Sequence, residues 1–181
     1  PRMIWEDDKV MVTSVPLKHS VPTCGFVFKE KTHPRKLLIN EVRSHNIPVY
    51  AYHRIKQGED WIDDEGKIIP NSKLTSDGPA ARSYAFCSDT AYAPEIVDQL
   101  RGVDLLYHES TFLDEDERLA RKTQHSTASD AAHIAVQTDV KQLLLGHYSP
   151  RYKDQSAFVE QASEHFSNTL AAYDGLLIEK L

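Results

Sequence analysis

Three short apolar segments of the sequence are each followed by side chains that can bind metal ions or transfer protons. These polar groups are Ser88-Asp89-Thr90, His108-Glu109, and His147 with Ser149. Histidine exchanges protons near neutral pH, and histidine with aspartate matches the ligands of Zn²⁺, Mn²⁺ or Fe²⁺ in hydrolytic sites. Taken singly, each group is better explained by a turn or capping role. Because ligands of layered α/β proteins bind beyond the strand ends, the three groups together favour one shared site.

Asp89 is the one candidate in this set for a carboxylate that bridges two metal ions. Such a bridge holds the ions about 3.5–4 Å apart, and a hydroxide between them can attack phosphorus or a carbonyl carbon. Cys24 and Cys87 each lack a second thiol at zinc-ligand spacing, which excludes a cysteine-based structural zinc site. The residue types therefore indicate metal-assisted hydrolysis.

Alternating strands and helices must position these groups, and they predict a layered α/β fold. The expected strands are Lys9–Val15, Gly25–Phe28, Tyr84–Cys87, Leu105–Tyr107, Gln142–Leu145, Leu170–Tyr173 and Leu176–Ile178. The expected helices are Lys36–His45, Glu95–Leu100, Asp114–Lys122, Ser126–Val136 and Ser156–His165. Ser126 or Thr127 is expected to cap the fourth helix, with Asp130 close behind.

Length, charge and hydropathy indicate a single domain and exclude both a wholly basic surface and a membrane span. The chain has 181 residues, which favours one domain, and its net charge of -6 excludes a surface that is basic throughout. The longest runs of strictly apolar residues are far shorter than the ~20 residues that span a bilayer. The two isolated cysteines fit a reducing, cytosolic setting. Between Glu30 and Pro79, prolines, basic residues and acidic turns interrupt the apolar pattern, which predicts an insertion.

Five motifs occur in an order that resembles the ribonuclease Z family, the tRNA 3′-processing endonucleases of the metallo-β-lactamase superfamily. They contain His19 in Leu17-Lys18-His19-Ser20-Val21, Asp89, His108-Glu109-Ser110-Thr111-Phe112, His125-Ser126-Thr127 and His147-Tyr148-Ser149-Pro150-Arg151-Tyr152. The resemblance runs from roughly Glu6 to Asp174. It implies that residues 1–181 are the C-terminal portion of one αβ/βα sandwich domain, with residues 31–79 inserted as an arm that grips tRNA.

The resemblance also implies a role for each motif residue. His19 and His147 would be terminal ligands of two different zinc ions, Asp89 would bridge both ions, and His125 would be the catalytic histidine. Glu109 is the candidate for orienting His125. Phosphate contacts are expected from Thr127, Ser149, Arg151 and Tyr152. Without the resemblance, His125 would be interpreted as a solvent-facing neighbour of a helix cap, and these four residues as loop stabilisers.

The sequence also departs from the family's pattern. The His-x-His-x-Asp-His run that supplies most of the other ligands is absent, and the chain opens with Pro1 rather than methionine, so we expect a fragment that is inactive alone. Ser88 replaces the glycine usual before the bridging aspartate, which predicts an altered turn. The arm lacks its usual Gly-Pro pair. Within the arm, phosphate contacts are expected from Lys31, Arg35, Arg54 and Lys56, although an exposed charged excursion explains each of them equally well.

Three functions fit these observations. The first is a zinc-dependent endoribonuclease, cytoplasmic and homodimeric, that removes the 3′ trailer from precursor tRNA, as the resemblance implies. The second is another hydrolase of the same fold that acts on small phosphodiesters or esters, since fold alone does not fix substrate. The third is a non-catalytic piece for RNA binding or dimerisation.

Overall fold

The computed structural model describes residues 1–178 and contains two units. The larger unit comprises Pro1–Glu30 and the chain from Arg82 onward, and the smaller unit comprises Lys31–Ala81. The strands are β1 (Arg2–Glu6), β2 (Val10–Pro16), β3 (Cys24–Glu30), β4 (Lys36–Leu37), β5 (Trp61–Ile62), β6 (Ile68–Ile69), β7 (Thr75–Ser76), β8 (Ser83–Cys87), β9 (Leu105–Glu109), β10 (Gln142–Gly146) and β11 (Thr169–Ala171). The α-helices are α1 (Ile39–Ser44), α2 (Tyr52–Lys56), α3 (Asn71–Leu74), α4 (Val97–Leu100), α5 (Glu117–Thr123), α6 (Ala128–Thr138) and α7 (Ser156–Ser163). Short 3₁₀ turns cover Val49–Ala51, Pro94–Ile96 and Asp114–Asp116.

The larger unit is built on a mixed sheet with the strand order β1-β2-β3-β8-β9-β10-β11. The strands from β1 to β8 pair antiparallel, and those from β8 to β11 pair parallel. Since β8, β9 and β10 are parallel neighbours, their carboxyl ends lie at one edge of the sheet. The three polar groups that follow these strands in the sequence therefore meet at that edge.

One face of this sheet packs against helices α4, α6 and α7 and forms the main core. Alternate strand residues point to it, among them Val27, Ala85, Leu106, Leu143 and Leu145, all buried. Helix α6 contributes small side chains at Ala128, Ala131, Ala132 and Ala135, which let it lie close to the strands. The layered α/β fold predicted from the sequence is thus confirmed.

The opposite face of the sheet, which we call the aromatic face, is only partly covered. Phe28 stacks on Tyr84 with ring centroids 5.9 Å apart, and Phe86 stacks on Tyr107 at 4.7 Å. These four rings are partly exposed to solvent. All of edge strand β1 is exposed, including Trp5 at 60%. A half-covered aromatic surface of this kind is typical of a face that packs against further protein.

The smaller unit has an apolar core of its own. Its two short strand pairs are β4 with β7 and β5 with β6, both antiparallel. The side chains buried at its centre are Val42, Ile47, Ala51, Ile55, Ile69 and Leu74. The segment interpreted as an insertion thus contains packed structure rather than an extended loop.

Several predicted elements have different bounds in the structure. Strand β1 is an addition to the predicted strands, because polar and apolar residues do not alternate along Arg2–Glu6. The helix expected over 36–45 is split into β4 and α1, and Leu176–Ile178 contains no strand. Thr127, rather than Ser126, caps α6. No helix among residues 1–178 is long and apolar enough to cross a lipid bilayer.

Candidate active site

Four side chains at the carboxyl edge of the sheet form a cluster of metal-binding groups. Asp89 follows β8, Glu109 ends β9, His147 follows β10, and His125 lies between α5 and α6. One ligand atom from each lies within 4.8 Å of those of the other three. Three of these residues come from the predicted strand ends, and the fourth comes from the predicted His125 motif.

The distances within the cluster place the histidines side by side. His147 Nε2 lies 3.3 Å from Asp89 Oδ1. The His125 ring lies 5.3 Å from the His147 ring and 4.8 Å from the His19 ring, measured between centroids. His19, from the loop between β2 and β3, therefore borders the cluster next to His125. The structure brings together all five residues that were predicted to act in metal binding or catalysis.

Glu109 is fully buried and accepts four hydrogen bonds. Its Oε1 accepts from Thr90 N at 2.5 Å and from His125 Nδ1 at 2.8 Å. Its Oε2 accepts from Thr111 Oγ1 at 2.6 Å and from Ser126 N at 3.1 Å. A buried carboxylate needs such partners, because an unpaired charge in the interior is costly. The four donors fix the position of Glu109 and so fix the point to which His125 is tied.

The loop that carries His125 is held at both ends. His125 N donates to Ala120 O at 3.0 Å, and Ser126 Oγ donates to Thr90 O at 2.7 Å. The next residue, Thr127, begins α6 with a capping box, in which its Oγ1 accepts from Asp130 N at 3.2 Å. The helix start therefore sets the place of the histidine that precedes it.

Two of the histidines have a defined ring nitrogen that carries the proton. His19 Nδ1 lies 2.9 Å from Gln124 O, and a carbonyl oxygen can only accept. His125 Nδ1 faces the Glu109 carboxylate. In both rings Nδ1 is therefore the donor, and Nε2 is left with its lone pair when the ring is neutral.

The turns after β8 and β10 use left-handed backbone at the functional residues themselves. Asp89 has φ 55° and His147 has φ 60°. Asparagine, aspartate and histidine are enriched in this region among non-glycine residues. Ser88 does not have a positive φ, so its backbone lies in a region that serine adopts without strain.

Gly146 lets the ring of Tyr107 lie against the chain just before His147. A Cβ at Gly146 would overlap the Tyr107 ring and hydroxyl. Tyr107 also stacks on Phe86 on the aromatic face, and burial raises its pKa, with the negative charge of Glu109 adding to the effect. The fit between Gly146 and Tyr107 thus supports the turn that presents His147.

His108, next to Glu109, points into the core and not into the cluster. It is fully buried, and its Nδ1 donates to Glu109 O at 2.8 Å. Its Nε2 is buried without a hydrogen-bond partner among the described residues. Burial lowers the pKa of His108, so the ring is neutral in the folded protein at neutral pH.

The residues after His147 form a polar network beside the cluster. Tyr152 Oη donates to Asp116 Oδ2 at 2.5 Å, and Arg151 Nη1 lies 3.3 Å from the same oxygen. Arg151 Nε donates to Ser149 Oγ at 3.3 Å, and its guanidinium lies 5.3 Å from the centre of the Phe112 ring. The His125 ring also neighbours Phe112, at 6.3 Å. Arg151 is therefore close to the cluster and half-exposed, while the hydroxyl of Tyr152 is already engaged.

The remaining predicted phosphate contacts lie in different settings. Thr127 is 3% exposed and its hydroxyl caps α6, so that hydroxyl is already engaged within the protein. In the smaller unit, Arg35 pairs with Asp77 at 2.6 Å and Arg54 pairs with Glu59 at 2.5 Å. Lys56 is exposed, and its carbonyl oxygen accepts from Arg35 N at 2.9 Å. Lys31 begins this unit.

Three residues to which the sequence assigned no role contribute to the cluster: Thr111, Gln124 and Tyr107. Thr111 lies inside a motif that the sequence did single out, two positions after Glu109, so its place in the motif was a usable signal. Gln124 acts through its carbonyl oxygen and a left-handed φ of 57°, neither of which depends on a side-chain type. Tyr107 ends the strand predicted over Leu105–Tyr107, and an aromatic residue in a strand gives no sign of a role at the site.

The donor chemistry of the cluster fits a divalent metal ion. Carboxylate oxygens with imidazole nitrogens are a ligand set for Zn²⁺ and similar ions, and Asp89 and His147 present such atoms 3.3 Å apart. Glu109 is less suited as a ligand because both of its oxygens are engaged by donors. Asp89 and His147 therefore offer donor atoms that can bind a metal ion, whereas His19 lies next to His125 and outside the four-residue cluster.

Comparisons with known proteins show which proteins this chain is similar to. A family model described as a β-lactamase superfamily domain matches residues 74–148. Ribonuclease Z of Bacteroides thetaiotaomicron is 45% identical over 178 residues, which cover 98% of this chain and 56% of that protein. The chain thus spans about half the length of the curated relatives it matches. The resemblance to ribonuclease Z expected from the motifs is confirmed.

Solved structures support the fold. The metallo-β-lactamase fold protein YhfI from Bacillus subtilis matches with a TM-score of 0.61 and 14% identity, over 95% of this chain and 50% of that one. The short form of human tRNase Z matches with a TM-score of 0.55 and 19% identity, over 98% of this chain and 46% of that one. The chain therefore has part of the metallo-β-lactamase fold, as the sequence predicted.

Proposed function

From its similarity to ribonuclease Z over nearly its whole length, we propose that this chain is part of a metal-dependent endoribonuclease that removes the 3′ trailer from precursor tRNA. The observation that carries the proposal is the cluster of Asp89, Glu109, His125 and His147 at the ends of three parallel strands. The cluster contains two imidazoles and the Asp89 carboxylate, next to the buried Glu109 carboxylate whose oxygens all accept hydrogen bonds from the protein. This arrangement suits hydrolysis of a phosphodiester better than a purely structural role.

We further propose zinc as the metal, with two ions in the complete site. His19, Asp89 and His147 would hold them from this chain, Asp89 between the two, and the other ligands would come from the rest of the longer protein. Bound zinc would lower the pKa of a water towards ~7 and stabilise the phosphate charge that develops in the transition state. Imidazole nitrogens and carboxylate oxygens, which these three residues offer, are the donors that zinc takes in catalytic sites.

In this mechanism His125 supplies the proton that leaves with the departing ribose 3′ oxygen. Its Nδ1 is tied to Glu109, so only Nε2 can face a substrate and pass it a proton. Glu109 is a positioning residue, since its oxygens are filled by protein donors. General acid help of this kind contributes ~10² to 10⁴ in rate.

The substrate would be held by cations near the cluster and by the smaller unit. Arg151 is half-exposed and lies over Phe112, beside His125, where a guanidinium can bind a phosphate. Ser149 would help to orient it. Lys31, Arg35, Arg54 and Lys56 in the smaller unit would contact the tRNA backbone, with Arg35 and Arg54 exchanging a carboxylate partner for a phosphate.

We also propose a cytoplasmic, homodimeric protein. Cys24 and Cys87 are both free thiols, which agrees with a reducing compartment. The resemblance supports a homodimer, and the exposed apolar side chains of β1 offer surface for association. Light scattering of the longer protein would measure its mass directly.

Replacement of His125 tests the nuclease proposal. In the longer protein that contains this chain, His125→Ala should reduce cleavage of precursor tRNA by ~10² to 10⁴ and leave the zinc content unchanged. His133→Ala is the matched control, because His133 is exposed on α6 outside the cluster. Loss of zinc in His125→Ala would make His125 a ligand instead. Unchanged cleavage would refute the mechanism.

A further inference from the structure

The hydroxyl of Thr111 lies between Glu109 and His147 of the cluster. Thr111 Oγ1 is 2.6 Å from Glu109 Oε2 and 2.9 Å from His147 Nδ1. The Thr111 side chain is buried, with 7% of the residue exposed. This hydroxyl therefore joins the buried carboxylate to the histidine that faces Asp89.

The single hydroxyl proton of Thr111 decides the direction of its hydrogen bonds with Glu109 and His147. A threonine hydroxyl has one proton to donate and lone pairs to accept with. The 2.6 Å contact lies in the range of a hydroxyl that donates to a carboxylate, ~2.5–2.7 Å. Both oxygens of Glu109 also accept from backbone N–H groups, which can act only as donors. The Thr111 proton therefore points to Glu109, and Oγ1 is left to accept from His147 Nδ1.

We propose that Thr111 is a positioning residue that holds His147 in the tautomer with the proton on Nδ1. Nε2 then keeps its lone pair and faces Asp89 Oδ1, where a metal ligand is needed. Glu109 thereby orients two imidazoles, His125 directly and His147 through the Thr111 hydroxyl. The inference rests on the proposed function only in naming His147 as a ligand; the tautomer itself does not depend on it.

The Thr111 hydroxyl matters because the other polar neighbour of this ring, the Asp89 carboxylate 3.3 Å from Nε2, favours a proton on Nε2 instead. The His147 side chain is 40% exposed, and its backbone is left-handed at φ 60°. Without a partner for Nδ1 the ring would populate both tautomers and more than one orientation. Partners that orient metal-binding histidines in this way typically account for about 10- to 100-fold in metal affinity.

Long-range ¹H–¹⁵N NMR of the histidine rings tests the proposal in the metal-free chain, at a pH where the rings are neutral. The variants are Thr111→Val, which removes the hydroxyl at similar volume, and Thr111→Ser, which keeps it. Thr138→Val is the control, since Thr138 is also buried but donates to carbonyls of its own helix. Zinc affinity of the same variants is measured by titration in the longer protein.

The wild-type chain and Thr111→Ser should show His147 with the proton on Nδ1. Thr111→Val should show mixed tautomers and about 10- to 100-fold weaker zinc binding, with Thr138→Val unchanged in both. A wild-type His147 protonated on Nε2 overturns the proposal even if Thr111→Val fails to fold. An unchanged tautomer in Thr111→Val also overturns it. Because the NMR measurement uses neither RNA nor metal, a failure of the nuclease proposal leaves its result intact.

Discussion

Replacing Glu109 by glutamine should destabilise the larger unit strongly, although the two side chains have nearly the same shape. Each Glu109 oxygen accepts one backbone N–H and one side-chain donor. In the Glu109→Gln variant, the new amide nitrogen would take the place of one of these oxygens. If it replaced Oε1 it would face Thr90 N–H, and if it replaced Oε2 it would face Ser126 N–H.

The side-chain donors can adjust, but the backbone donors cannot. His125 can change tautomer and Thr111 can rotate its hydroxyl, whereas either backbone N–H is left buried against another donor. An unsatisfied buried group costs about 1–3 kcal/mol, and exchanging a charged acceptor for a neutral one removes roughly 1–2 kcal/mol more. Glu109→Gln should therefore lower the free energy of unfolding by about 2–5 kcal/mol, a large share of the ~5–15 kcal/mol of a typical domain.

Urea unfolding of the chain, followed by circular dichroism, measures this loss. Glu160→Gln is the matched control, because Glu160 is exposed on α7 and its replacement should change the free energy by less than ~0.5 kcal/mol. A Glu109→Gln variant as stable as Glu160→Gln would show that the carboxylate network does not hold the site together.

Three further predictions concern other parts of the chain. Gly146→Ala should destabilise the larger unit by about 1–3 kcal/mol, since the new methyl group overlaps Tyr107; unfolding within ~0.5 kcal/mol of wild type would contradict this. Because burial lowers the pKa of His108, the unfolded chain binds a proton below ~6.5 that the folded chain excludes, so stability should fall as pH drops from about 7.5 to about 5.5. His108→Asn should flatten this dependence in urea titrations, whereas a slope equal to that of exposed His133→Asn would refute the assignment. Deleting residues 31–77 from the longer protein should abolish cleavage of precursor tRNA and spare a chromogenic phosphodiester; equal loss of both would show that the smaller unit is needed for the fold or the chemistry itself.

The strands at the centre of the sheet could be predicted because buried strands consist mainly of apolar residues. Tyr84–Cys87, Leu105–Tyr107 and Gln142–Leu145 are mainly apolar, and a polar side chain follows each of them within two residues. The observed β8, β9 and β10 extend each segment by only one or two residues. A strand that is buried on at least one face needs apolar side chains, and the first residue beyond it does not. The positions of Asp89, Glu109 and His147 follow from that boundary.

Other parts of the fold have no distinctive pattern of apolar residues in the sequence. Strand β1 is exposed along its whole length and is defined by backbone pairing to β2, which imposes no burial pattern on its side chains. Residues 36–45 have helical spacing, yet Lys36 and Leu37 pair with Ser76 and Thr75 instead. Local pattern competes there with a partner that is distant in the sequence, and tertiary contact decides between them.

The finer geometry of the site was also beyond a prediction from residue types. A sequence shows that histidines are present but not which ring nitrogen carries the proton, since the partner of the other nitrogen decides this. Here the partners of Nδ1 are a carbonyl oxygen for His19, a carboxylate for His125 and, as we propose, a hydroxyl for His147. They come from the α5–α6 loop and from the residues at and just after the end of β9, all within this chain. The orientation of these imidazoles is therefore decided by hydrogen-bond partners that this chain itself supplies, and the types of the residues do not reveal it.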